Sequence, residues 1–208
     1  QITMSRLFLY YNARASQKES DSGILIDQGC SLLSALSSAQ EMGVCLEQTW
    51  PYDISKINQK PSATAYVEAE KWKVDHFQLV KSKLNDMISC LDDGYPFVFG
   101  LRLTSSFNQL DGKIPMPEKD DTPLEDHPSH AMLCVGYSKK DQVFIVRNSW
   151  GAGWGDKGYC YIPFDYMTNP DMILGICTIR SIDEKVNEIV KTNIWGHELG
   201  YFNDGANN

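Results

Sequence analysis

Arg147-Asn148-Ser149-Trp150-Gly151-Ala152-Gly153-Trp154-Gly155-Asp156-Lys157-Gly158-Tyr159, together with Ser129-His130-Ala131-Met132-Leu133-Cys134-Val135-Gly136-Tyr137 upstream of it, is the stretch on which the fold turns. An imidazole that acts as a base needs a second group to fix its tautomer and orientation, and a side-chain amide shielded by an indole supplies that in an apolar setting. The order of residues points to His130 as the base, Asn148 as its orienter and Trp150 as the cover. Residues 131–137 and 143–148 read as neighbouring strands joined by the polar Ser138-Lys139-Lys140-Asp141 turn, so one hairpin brings His130 and Asn148 to the same end.

Both segments resemble the papain-like cysteine peptidases. The later part of that family carries a His on one strand and, downstream, the run Asn-Ser-Trp-Gly-x-x-Trp-Gly-x-x-Gly-Tyr, which is present here from Asn148 to Tyr159. So many defined residues at fixed spacing exceed what a short-motif coincidence produces. The similarity continues upstream through Asp21-Ser22-Gly23, Gly43-Val44-Cys45-Leu46-Glu47, the Trp50-Pro51-Tyr52 corner, residues 79–103, and Phe107 with Gly112. Ser5-Arg6-Leu7-Phe8-Leu9-Tyr10-Tyr11-Asn12 resembles a segment that follows the nucleophile helix in a microbial and viral branch.

The resemblance implies an α+β, papain-like fold: a mainly helical half over residues 1–93, an antiparallel barrel-like half over 94–182 holding His130 and Asn148, and an extension over 183–208. It also implies thioester chemistry, with a thiolate attacking a peptide carbonyl and His130 passing the proton to the leaving amine. Ala131 matches a position bordering the specificity subsite, where a methyl leaves room for a bulky apolar side chain. No metal or organic cofactor is implied, and the partner is a peptide or protein substrate.

The family's nucleophile lies in a Gln-x-x-x-x-x-Cys arrangement near its N-terminus, and none precedes Ser5. The expectation is a fold incomplete at its N-terminus, with the Cys upstream or on a companion segment; Gln1 in place of Met suggests processing or trimming. Cys30 in Asp27-Gln28-Gly29-Cys30-Ser31 is the other candidate, and a helix N-terminus would favour its thiolate. Only Gly29 separates it from Gln28, however, and it follows Tyr10-Tyr11-Asn12. Leu25, Cys30, Leu33, Leu36 and Ala39 recur near helical spacing, so Cys30 reads as a buried residue of a helix over 24–42. The alternative function is an inactive papain-fold binding or structural subunit.

A net charge of −8 with no basic stripe excludes unspecific binding of nucleic acid. Apolar runs fall short of a membrane span and no signal-peptide pattern opens the chain. Six cysteines without a CxxC pair argue against zinc. Cys30, Cys90 and Cys134 in apolar contexts favour core thiols and a reducing compartment, cytoplasm or virion over secretion.

Helices are expected over 5–14, 24–42, 63–70 and 79–91, and strands over 97–103, 131–137, 143–148, 158–162 and 177–182. The Pro- and acid-rich residues 108–128 read as a solvated surface loop. His127 within it precedes Pro128 and is a weaker base candidate than His130; His76 and His197 match no site. The glycines at 151, 153 and 155 are expected to allow a tight turn against the Trp rings. The 184–208 tail holds an apolar pattern through Val186, Ile189 and Val190.

Overall fold

The computed structural model describes residues 2–16, 25–107, 111–123 and 129–183. His127, His197 and the tail from 184 lie outside the described residues. In chain order the elements are α1 (Arg6–Ser16), α2 (Leu32–Glu41), α3 (Ala63–Ala69), β1 (Val74–Leu79), α4 (Leu84–Asp92), β2 (Phe97–Arg102), β3 (Ser129–Ser138), β4 (Val143–Arg147), β5 (Tyr159–Pro163), α5 (Phe164–Thr168) and β6 (Ile173–Ile182), with 3-10 turns at Ile54–Lys56 and Ser105–Phe107. The chain divides into two compact units, one of residues 1–29, 37–75 and 182 onward, the other of 30–36 and 76–181. No helix among the described residues is long and apolar enough to cross a membrane.

The first unit is mainly helical. Ser5 opens α1 by accepting the Phe8 N–H at 3.1 Å, which satisfies a donor that the helix itself cannot pair. Its Leu7, Phe8 and Ala13 are buried, and the Phe8 ring meets Tyr66 on α3 at 5.0 Å. Ser62 caps α3 by accepting the Ala65 N–H at 3.2 Å. Gly43 has φ +75, and a Cβ there would lie 1.9 Å from the Ala69 carbonyl oxygen, so only glycine permits this approach.

The expected helix over 24–42 is shorter. Gly29 has φ +83, outside the helical region, and Ser31 accepts the Ser34 N–H at 3.0 Å, so the helix starts at Leu32. Cys30 therefore lies before α2 and is exposed, contrary to its expected place as a buried helix residue. The spacing of Leu25, Cys30 and Leu33 misled because local capping sets the boundary; Leu33 itself is 51% exposed.

The second unit is built on the sheet, with strand order β1-β6-β2-β3-β4-β5. The β6–β2, β2–β3, β3–β4 and β4–β5 pairs are antiparallel. Phe97, Phe99 and Leu101 of β2 alternate onto a buried face opposite Cys134, Met132 and His130 of β3. Phe144, Val146, Cys160 and Ile162 extend that face, and Met87 and Cys90 of α4 join the same core. The 112–114 segment runs along β5 and is not a solvated connection: Tyr161 donates to the Gly112 carbonyl at 2.8 Å, Ile114 donates to that of Tyr161 at 3.0 Å, and Ile114 is buried.

Candidate active site

His130 is the second residue of β3, paired with Leu101, and Asn148 is the first residue beyond β4. Antiparallel pairing of Leu133 with Arg147 brings them to one end of the hairpin. The His130 Nε2 and Asn148 Oδ1 are 2.8 Å apart. The Trp150 ring stacks on the imidazole with centroids 4.9 Å apart and planes 28° from parallel.

The hydrogen bonds determine which atoms carry protons. The Ser149 N–H donates to Asn148 Oδ1 at 2.7 Å, so that position of the amide must be oxygen. An oxygen there requires His130 Nε2 to be a donor. The neutral ring then carries its proton on Nε2, and Nδ1 holds the lone pair that can accept one. Asn148 is buried and its own N–H donates to the Gly158 carbonyl at 2.9 Å, so the orienting amide is fixed from its backbone outward. Its Nδ2 is buried and has no hydrogen-bond acceptor among the described residues.

The indole is itself supported. Buried Phe107 meets Trp150 edge to face at 6.2 Å and stacks on Trp154 at 6.0 Å, while the two indoles meet edge to face at 5.1 Å. Gly155 serves the turn by backbone approach, not against the rings: its φ is +57, and a Cβ would lie 2.4 Å from the Tyr159 carbonyl oxygen. A Cβ on Gly151 or Gly153 would meet nothing within 4 Å, although Gly151 also needs its positive φ.

Ala131 does not join this group. Strand alternation turns it to the opposite face of β3 from His130, where it is exposed and paired with Gly100. Phe107 and the groups that hold it were not read from the sequence as site residues; a Phe beside a Ser- and acid-rich segment carries no local sign that it will lie under a tryptophan.

The buried thiols are poorly suited to nucleophilic attack. Burial pushes Cys45 up to about 11 and Cys160 up to about 12, and raises Cys134 further, so each stays a thiol at neutral pH.

Residues 22–181 match the family described as papain family cysteine protease. An uncharacterized peptidase C1-like protein of Acanthamoeba polyphaga mimivirus is 30% identical over 194 residues, covering 88% of this chain and 60% of that protein. Peptidase 1 of Psoroptes ovis is 30% identical over 140 residues, covering 66% of this chain and 42% of that one. The crystal structure of xylellain, a cysteine protease from Xylella fastidiosa, superposes with a TM-score of 0.76 at 32% identity, covering 86% of this chain and 70% of that one. The chain thus spans about half the length of the curated relatives it matches, and it belongs to the papain family of cysteine proteases.

Proposed function

We propose that this chain supplies the acid–base part of a cysteine peptidase that cleaves peptide bonds through a thioester. The observation that carries the reading is the 2.8 Å His130–Asn148 contact under Trp150, with the amide oxygen fixed by Ser149. In this orientation Nδ1 takes the proton of an attacking thiol. The resulting imidazolium, held through Nε2–H by Asn148, donates that proton to the leaving amine, and the neutral ring then activates the water that releases the acyl group.

The nucleophile in this reading is a Cys carried by a segment outside these 208 residues, in the same polypeptide or a companion chain. Five of the six thiols here are buried. Cys30 is exposed and precedes a helix, which makes it the alternative nucleophile to be tested. Ala131 presents only a methyl on its exposed strand face, and the exposed Leu174 side chain lies against the neighbouring Gly100, so this face offers an apolar surface to a substrate side chain. The buried thiols favour a reducing compartment, and the acidic charge favours a protein substrate over nucleic acid or a membrane surface.

The test is treatment of the full-length gene product with a thiol-directed epoxide, followed by peptide mapping, alongside a peptide-hydrolysis assay. Label on a Cys outside the 208 residues, with turnover, supports the proposal. Label on Cys30 transfers the nucleophile to it. A folded full-length protein with neither label nor turnover favours the inactive binding or structural subunit.

A further inference from the structure

We infer that Asp121 is a positioning residue for the His130–Asn148 pair, acting through Phe107 and Trp150. The inference rests on the reading of His130 as the base. Asp121 Oδ1 accepts the Ser105 hydroxyl at 3.1 Å, and Oδ2 accepts the Ser106 hydroxyl at 2.7 Å and the Glu118 N–H at 2.9 Å. Ser105 and Ser106 belong to the 3-10 turn that ends in Phe107. One carboxylate therefore joins that turn to the chain returning toward β3.

The backbone reinforces the same junction. Ser105 donates to the Thr122 carbonyl at 2.9 Å, Phe107 donates to that of Thr104 at 2.9 Å, and Thr104 bridges Pro123. The Ser106 hydroxyl also lies 2.9 Å from that of Thr104. Phe107 projects from this knot into the core, where its edge contact with Trp150 and its stack on Trp154 hold the indole over the imidazole. The sheet fixes the backbone of His130, but the ring torsions depend on what lies on each face. Trp150 follows β4 in an irregular turn, outside the strand ladder.

The chemistry of the three acceptor contacts separates two variants. Asp121→Ala removes all of them. Asp121→Asn can keep its oxygen toward Ser106 and Glu118 and present its amide N–H to Ser105, whose hydroxyl can turn to accept. Asparagine should therefore restore what alanine loses.

The experiment is an NMR measurement of the His130 imidazole protons in the chain, assigned by their loss in His130→Gln. Stacking on Trp150 should displace them by the indole ring current. With Asp121→Ala the displacement should shrink toward the value of an unstacked histidine, and with Asp121→Asn it should persist. A folded Asp121→Ala protein with unchanged His130 resonances would overturn the inference. Should that variant fail to fold, Ser106→Ala, which removes one of the three contacts to Asp121 along with that to Thr104, must shift the resonances in the same direction by less; no shift there overturns it equally. In the full-length protein, Asp121→Ala should lower kcat about tenfold with little change in KM, since small misplacements of an acid–base group act on the chemical step. An inactive parent protein whose His130 signals still respond would refute the peptidase reading and leave the positioning role standing. An active parent with unchanged kcat and unchanged signals would refute only the positioning role.

Discussion

The helical unit and the sheet unit use buried polar side chains differently. In the helical unit, Arg14 is buried and spans connections between elements, donating to the Ile26 carbonyl at 3.0 Å, to Asn58 Oδ1 at 2.8 Å and to the Ile57 carbonyl. Asn12 is buried there as well, donating to Phe8 and accepting from Tyr66. Irregular backbone leaves carbonyls unpaired, and long polar side chains satisfy them. The sheet ladder of the second unit pairs its own backbone, so a buried amide at a strand end, Asn148, is available to hold an imidazole. Arg14 and Asn12 serve architecture in the first unit, whereas Asn148 serves orientation in the second, beside architectural Thr178, which donates to the Pro96 carbonyl at 2.7 Å.

The largest effect tests how much the second unit depends on its apolar face. Phe99 is fully buried against Phe97. Phe99→Ala should destabilise by about 3–5 kcal/mol, measured by denaturant unfolding. A loss below about 1 kcal/mol would mean that the face repacks freely and is no rigid platform for the site.

His130→Ala should sharpen the comparison from the other side. The half-buried imidazole belongs to the site, so in the full-length protein turnover should fall about a hundredfold or more, with little change in unfolding midpoint. Comparable loss of stability would show that the imidazole is core packing and not a group held for chemistry.

Arg14→Met probes the architectural use of polarity. It keeps bulk but removes the donors to Ile26 and Ile57, and should cost about 2 kcal/mol. It should leave the His130 NMR signals in place. A neutral substitution would refute the assigned role.

The smallest effect concerns Glu47, which accepts from the Arg6 guanidinium at 2.9 Å, the Tyr52 N–H at 2.9 Å and the Arg6 N–H at 3.2 Å. Burial by itself raises this carboxyl, yet those hydrogen bonds and the adjacent charge outweigh it and hold it below the ordinary carboxylate range. A lowered folded-state value means that the stabilisation is complete above the unfolded value near ~4.3 and is lost as pH falls through the folded one. Arg6 is largely exposed, so Glu47→Gln should cost under about 1 kcal/mol at neutral pH. The difference in Tm should close as pH drops below 4 or so. A gap that does not narrow would show that the contact acts by shape alone.

Much of the fold was legible where local chemistry and periodicity agreed. Helices were expected over 5–14 and 63–70, where α1 and α3 lie, and Ser5 and Ser62 cap them. The β2, β3, β4 and β5 strands followed from apolar runs between turn residues. β1 was missed because its exposed, polar Asp75, His76 and Gln78 carry no apolar alternation; it lies at the end of the sheet order and is a strand through pairing. Helix α4 starts at Leu84, later than expected, because Val80 donates to Ile176 and belongs to the sheet side of the connection.

By itself the sequence determined the family, the hairpin and the identity of the imidazole–amide pair, because these depend on residue types at fixed short spacings. Only the tertiary structure decided that Nε2 is the donor, that Ala131 turns away from the pair, that Cys30 lies outside the helix, that Phe107 packs against Trp150 and that Asp121 bonds the turn carrying Phe107. Those outcomes depend on hydrogen bonds and packing that close over distance in space, and no local pattern along the chain encodes which partners will meet.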